Sequence, residues 1–222
     1  MAAPERVIDL DNVKNFRDLG GYRGADGRQV AWGRVFRSDG LYRASDDDLA
    51  VLDALGIRTV IDLRTSAELD EFGRFAVEKY PVSFHHLPVL DKTWRAAGRE
   101  GLDDPVEFLV GAFHDMLAEG GDRFAEALQL LALPGIPPVV FHCAAGKDRT
   151  GLVAALLLGA LGVSDADIAE DFGLTRGAMQ RMRDWAAIHH PELAGRFADA
   201  PSAFLAAEPA AMSRLLRELR AE

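Results

Sequence analysis

Val139-Val140-Phe141-His142-Cys143-Ala144-Ala145-Gly146-Lys147-Asp148-Arg149-Thr150-Gly151 is the stretch whose reading decides the fold. Its first three residues, opened by Pro137-Pro138, form a short continuous apolar run of the kind buried on both faces in a parallel sheet. Residues Thr150 to Leu161 are apolar almost all round, which predicts a helix buried in the core. A loop between such a strand and such a helix sets the backbone N–H groups of the helix start in a crevice at the strand's carboxyl end. That arrangement binds an oxyanion.

Outward from this unit, Ile57 to Leu63 is a β-branched apolar run of strand length, and Val82 to Leu90, behind Pro81, is a second. Asn15 to Ser38 is rich in Gly and Arg, with Ala25-Asp26-Gly27-Arg28 placed as the turn of a hairpin between Tyr22 and Gln29-Val30. Ser45 precedes Asp46 to Asp48 and a repeat of Leu49, Leu52 and Leu55 that stops at Gly56, so a short amphipathic helix is expected there. Asp104-Pro105 reads as a helix start with Val106, Leu109, Phe113, Met116 and Leu117 on one face. Gly120-Gly121 reads as its end and Asp122 as the cap of another helix through Leu128 and Leu131. Ser164 to Asp167 is a capping-box candidate, and the C-terminal third is helical in pattern, divided by Pro191, Pro201 and Pro209.

Strands separated by helical segments predict an α/β fold: a central, mostly parallel sheet of about four to five strands flanked by helices, with an N-terminal β-hairpin. No internal repeat or low-complexity tract interrupts it, so residues 1–222 are read as a single domain.

The composition is that of a globular chain: 222 residues, 49% hydrophobic and 27% charged. Its formal net charge of -10 predicts that nucleic acid and anionic membrane surfaces are repelled, so an anionic substrate must be met by a local positive site. One cysteine allows no internal disulfide, which fits a reducing compartment, and Met1 to Asp11 shows no secretory signal. The expectation is a cytoplasmic protein without integral membrane association, with export by another route left open and the oligomeric state undetermined.

Cys143 opens the loop, beside the helix dipole, the loop N–H groups and the guanidinium of Arg149. All three favour a thiolate over a thiol, so Cys143 is the candidate nucleophile. Arg149 presents a planar fork that fits two oxygens of a phosphoryl group. The substrate-binding candidates are Ala144, Ala145, Gly146, Lys147 and Thr150. Lys147 is expected to add charge at the pocket mouth, and the Thr150 hydroxyl to donate to the cysteine sulfur. His142 is read as bracing the loop backbone. Two other readings fail on spacing. A nucleotide-binding P-loop needs a glycine where Phe141 stands and Ser or Thr where Asp148 stands. His85-His86, His114 and His189-His190 lack a metal-ligand pattern, so neither metal nor cofactor is expected.

The loop resembles the Cys-x5-Arg signature of the protein-tyrosine phosphatase superfamily. Its form, with Gly146-Lys147-Asp148-Arg149-Thr150-Gly151, is similar to the bacterial atypical branch of the mycobacterial tyrosine phosphatase B type. Asn15-Phe16-Arg17-Asp18-Leu19-Gly20-Gly21, Val35-Phe36-Arg37-Ser38 and Ile61-Asp62-Leu63-Arg64 extend the resemblance from Asn15 to Phe172, while the C-terminal third adds little. The resemblance implies a tyrosine-phosphatase-like fold, attack of the Cys143 thiolate on phosphorus, a phosphocysteine intermediate and an aspartic acid that protonates the leaving oxygen. It favours Asp148 for that acid, with Asp91 and Asp62 as alternatives. Arg17, Asp18, Tyr22 and Arg23 are candidates to buttress the loop.

The substrate implied is a phosphorylated protein, at tyrosine or, with dual specificity, at serine or threonine as well, or a phosphoinositide, for which a lysine in the loop speaks. A non-catalytic phosphate-binding homologue is the second reading. A sulfur-transfer or arsenate-reducing enzyme ranks below both, because the chain has no second cysteine to resolve an intermediate. Residues 92–105 follow Asp91 and are read as a candidate cover for the pocket.

Overall fold

A computed structural model describes residues 5–90 and 103–221. Five strands form one sheet: β1 (Arg17–Asp18), β2 (Val35–Ser38), β3 (Thr59–Asp62), β4 (Ser83–His86) and β5 (Val139–His142). Their order is β1-β2-β5-β3-β4, with β1 antiparallel to β2 and every other pairing parallel. The strand opening the decisive stretch therefore lies in the middle of the sheet and is buried throughout.

Alternation along the strands divides the core. Val60, Val140 and Phe36 join Leu49, Leu52 and Phe75 on one face, whereas Ile61, Val139 and Phe141 join Phe113, Leu152 and Phe172 on the other. The first face is covered by α1 (Asp46–Ala54), whose N-terminus Ser45 and Asp48 close as a capping box and whose exit runs through Gly56 at φ +70°. Between β3 and β4 lies α2 (Ser66–Phe72), capped reciprocally by Thr65 and Glu68. The second face is covered by α3 (Pro105–Leu131), α4 (Asp148–Ala160) and α5 (Asp165–Gly173), the last capped by Ser164. The chain ends in α6 (Thr175–His189), α7 (Pro191–Asp199), α8 (Ser202–Leu205) and α9 (Pro209–Leu219), with breaks at the three prolines named above.

Two expectations are revised. Gly120-Gly121 does not end a helix: α3 is continuous over 27 residues, because Phe113, Met116, Phe124, Ala127 and Leu131 make one buried stripe. A Cβ on Gly120 would sit 2.1 Å from the Val89 carbonyl oxygen, so this glycine admits a neighbouring backbone. The hairpin exists, and its turn is closed by Gly24 and Arg28, but the ladder around the turn is a lone bridge between Arg23 and Gln29. The paired strands stand further out, with Arg17 opposite Arg37.

The register positions the site. Ser38, His142 and Asp62 are aligned across β2, β5 and β3 at the carboxyl end of the sheet. The three segments that follow them converge there, at the crevice expected of a parallel sheet.

Candidate active site

The loop from Cys143 to Lys147 leaves β5 and enters α4, and the N–H groups of residues 144–150 have no acceptor among the described residues. Donors so placed, with the dipole of a 13-residue helix behind them, can bind an anion. Gly146 holds φ +64°, and a Cβ there would lie 2.5 Å from the Ser38 carbonyl oxygen, so the turn of the loop requires glycine on two counts.

Buried polar groups fix the loop from beneath. Asn15 Nδ2 donates to the carbonyl oxygens of Ala145 and Gly146, both at 3.0 Å, and Arg37 Nη2 donates to that of Gly146 at 2.9 Å. Asp171 of α5 accepts from Arg17 Nε at 3.1 Å and from Arg37 Nη1 at 2.5 Å. Burial pushes the Asp171 carboxyl up, but the two guanidiniums outweigh it and hold the group at about 2. Burial and the neighbouring Arg17 lower Arg37 to about 10 against the pull of Asp171. Gly40 N donates to the Ala144 carbonyl, and Asp39 accepts from the N–H groups of Lys14 and Asn15. Among the expected buttresses, Arg17 and Tyr22 bond to Asp171. Asp18 instead accepts from the Gly20 and Gly33 N–H groups, and Arg23 lies on the exposed turn.

Arg149 is gripped from the side: its two terminal nitrogens donate to the carboxylate of Glu68, at 2.5 and 2.8 Å. Glu68 also completes the capping box of α2, so one carboxylate both starts a helix and orients the guanidinium. Burial raises the Glu68 carboxyl, and the bonds from Arg149 and Thr65 more than reverse it. Burial alone would weaken the base strength of Arg149, yet Cys143 and Glu68 beside it raise it well above its ordinary value.

The three carboxylates considered for a proton donor separate by environment. Asp148 keeps 14% of its side chain exposed, and burial raises its pKa, only partly countered by Lys147 and Arg149. Its Oδ1 has no hydrogen-bond partner and lies 3.5 Å from Lys147 Nζ. Asp62 is lowered: burial raises it, but His142 and the fully buried Arg64 prevail, and Arg64 Nη2 binds it at 2.7 Å. That carboxylate is a locked ion. Asp91, like residues 92–102 of the expected cover, falls outside the described residues.

His142 Nδ1 lies 3.2 Å from the Cys143 carbonyl oxygen, in keeping with a brace, and burial lowers the pKa of the ring against the pull of Asp62. Thr150 Oγ1 is buried without a hydrogen-bond partner, so the expected bond to the cysteine sulfur is not formed. Lys147 does not sit at the pocket mouth. It is buried, with Nζ donating to the carbonyl oxygens of Phe204 and Ala206. Among the described residues no group of three His, Cys, Asp or Glu side chains is arranged to hold a metal ion, and no helix is long and apolar enough to cross a membrane.

Cys143, Ala144, Ala145, Lys147, Asp148 and Arg149 line one cavity of about 210 Å³. Its walls are largely apolar: Tyr42 and Phe72 on one side, with Met116 of α3, Met179 and Met182 of α6, Leu193 and Phe197 of α7, and Phe204 and Leu205 of α8. The C-terminal third, which the motifs left without a role, supplies most of that wall. Glu68, Asp171 and this wall were missed from the sequence. The signals available were the Thr65-x-x-Glu68 capping box, and an aspartate beside Ile168 and Phe172 where two buried arginines need a countercharge.

Comparison with known proteins follows the same outline. Over 172 residues the chain is 38% identical to a protein of Cupriavidus necator provisionally named a tyrosine-protein phosphatase, covering 74% of this chain and 61% of that one. It is 30% identical over 147 residues to a tyrosine-protein phosphatase of Nostoc commune, covering 63% of this chain and 47% of that one. It is 28% identical over 202 residues to the triple specificity protein phosphatase PtpB of Mycobacterium tuberculosis, covering 80% of this chain and 72% of that one. The chain thus spans 61% and 47% of the lengths of the first two relatives. The match to the family itself runs over residues 8–222, well past the motifs and through the C-terminal wall, and the chain belongs to the tyrosine phosphatase family.

Proposed function

We propose that the chain is a cysteine-dependent phosphomonoester hydrolase that acts through a phosphocysteine intermediate, with phosphotyrosine in proteins as its preferred substrate. The observation that carries this reading is the meeting of Cys143, Asp148 and Arg149 in one cavity at the carboxyl end of β5.

In the first step the Cys143 thiolate attacks phosphorus, the S–P bond forms and the bond to the leaving oxygen breaks. Asp148, whose pKa is raised by burial, gives its proton to that oxygen. Arg149 and the loop N–H groups hold the remaining phosphoryl oxygens as charge builds on them. In the second step water attacks phosphorus, its proton passes to the Asp148 carboxylate, the S–P bond breaks, and inorganic phosphate and the thiolate are released. No metal takes part in either step. Thr150, whose buried Oγ1 has no other hydrogen-bond partner among the described residues, is the donor to the departing thiolate in this reading.

The apolar wall favours an aromatic leaving group over the short stem of phosphoserine. The retreat of Lys147 from the mouth removes one reason to expect a phosphoinositide, although the M. tuberculosis relative is named for triple specificity and a broader range stays part of the proposal. The chain has no second cysteine to resolve an intermediate, so sulfur transfer and arsenate reduction are set aside. A cytoplasmic location belongs to the same proposal, since a lone exchangeable cysteine needs a reducing environment.

The test is turnover of phosphotyrosine and phosphoserine peptides and of phosphoinositide vesicles with chelator present. The reading predicts chelator-resistant hydrolysis, highest kcat/KM on phosphotyrosine. Absence of turnover on all three, with phosphate still bound, would favour the non-catalytic phosphate-binding homologue.

A further inference from the structure

We propose that Lys147 is a positioning residue that fastens the C-terminal wall of the cavity to the catalytic loop, and thereby sets the affinity of the site for large apolar leaving groups. The inference rests on the phosphatase reading above and gives a role to a side chain which that reading leaves aside.

A lysine in an anion-binding loop is expected to face the anion. An ammonium group has three donors. Here two of them go to the carbonyl oxygens of Phe204 and Ala206, the second at 3.0 Å, and the third side of the group faces Asp148 Oδ1 at 3.5 Å. The Phe204 ring adds a cation–π contact, with its centroid 5.5 Å from Nζ. With 3% of the side chain exposed, two of the three donors are committed to the wall and the third is turned to Asp148.

The carbonyls it binds belong to a segment that needs such a tie. The helix α8 has only four residues and no side-chain cap, so it gains little from its own hydrogen bonds. Carbonyls at a helix end have no partner within the helix, and a cation there also meets the negative end of its dipole. Ala203 and Ala207 are buried on the α3 side, which leaves Phe204 and Leu205 on the cavity side. Lys147 is therefore the polar link between the loop that holds the phosphate and the residues that contact the rest of the substrate. Phosphate capture is left to the loop N–H groups and Arg149.

The rival is direct: Lys147 binds the phosphoryl group. The experiment compares wild type, Lys147→Met, Phe204→Ala and the double variant on phenyl phosphate and 1-naphthyl phosphate, with inhibition by inorganic phosphate. Loss of two charge-assisted bonds to the wall predicts a KM for 1-naphthyl phosphate raised about tenfold in Lys147→Met, with a smaller rise for phenyl phosphate. The inhibition constant of inorganic phosphate stays within about threefold of wild type, since the anion's own ligands are kept. Because both changes release the same wall, the two single variants are non-additive on 1-naphthyl phosphate.

Equal losses on both substrates with phosphate inhibition weakened about tenfold would show a phosphate ligand and overturn the proposal. Additive effects would overturn it too. Should Lys147→Met fail to fold, Lys147→Gln, which keeps a donor for a carbonyl but no charge, is read in the same way. Wild-type turnover of phenyl phosphate, lost in Cys143→Ser, is the control: its absence counts against the phosphatase reading, not against the link.

Discussion

In the proposed mechanism Asp148 takes its function from its surroundings. An aspartate in water is ionised at neutral pH and donates nothing. In the loop, burial raises its pKa, while the pKa of Asp62, bound by the buried Arg64, is lowered. Loss of the proton donor predicts that Asp148→Asn lowers kcat by about 10²- to 10³-fold on phenyl phosphate, and less on an aryl phosphate whose leaving group needs no proton. The sign of the pH dependence follows from the raised pKa: activity needs the protonated acid, so kcat falls as pH rises through that pKa, and the limb disappears in Asp148→Asn. A pH profile unchanged by the substitution would return the role to Asp91. That Cys143, Asp148 and Arg149 meet in one cavity was legible in the sequence, because seven ordered neighbours in a short loop leave little freedom. Thr150 and Lys147 were named from the same loop but expected in contacts they do not make, since the direction of a side chain depends on elements distant in sequence.

At the scale of elements, the strand, loop and helix of the decisive stretch were readable from periodicity alone, because local pattern and tertiary burial agree there. The helix α3 was misread at Gly120-Gly121, where a glycine pair serves the passage of Val89 rather than an end. Glu68 was missed because its sequence signal, a capping box, is complete without its second task. That second task makes α2 part of the site: Thr65 and Glu68 start the helix, and the same carboxylate holds Arg149. Glu68→Gln is expected to lower kcat/KM on phenyl phosphate by about 10²-fold through a misplaced guanidinium. Circular dichroism should show the helical content retained. Full activity in Glu68→Gln would mean that the loop alone positions Arg149.

Across the whole molecule, the N-terminal hairpin, the loop and the C-terminal helices are joined by Asp171. Its carboxylate takes Arg17 from β1 and Arg37 from β2, and these in turn hold Asn15 and the Gly146 carbonyl. The pattern Asn15-Phe16-Arg17 was recognisable as a motif, but its purpose was not, since the countercharge stands 154 residues away. Removing that charge leaves two arginines buried and unpaired, so Asp171→Asn should cost about 3 kcal/mol or more in urea unfolding. Acid should act in the same place. The folded carboxyl is held at about 2 against an ordinary 3.8. A depressed carboxyl contributes stability that is complete above the unfolded pKa and is lost as pH falls through the folded one. The wild type should therefore lose about 2 kcal/mol between about pH 4 and pH 2 that Asp171→Asn does not lose.

The central claim is that the chemistry passes through the sulfur of Cys143. Its most direct test is hydrolysis of phenyl phosphate by wild type and by Cys143→Ser, with chelator present throughout. The account predicts steady turnover by wild type, and in Cys143→Ser a loss of turnover to background while inorganic phosphate still binds. Hydrolysis that survives in Cys143→Ser would contradict it.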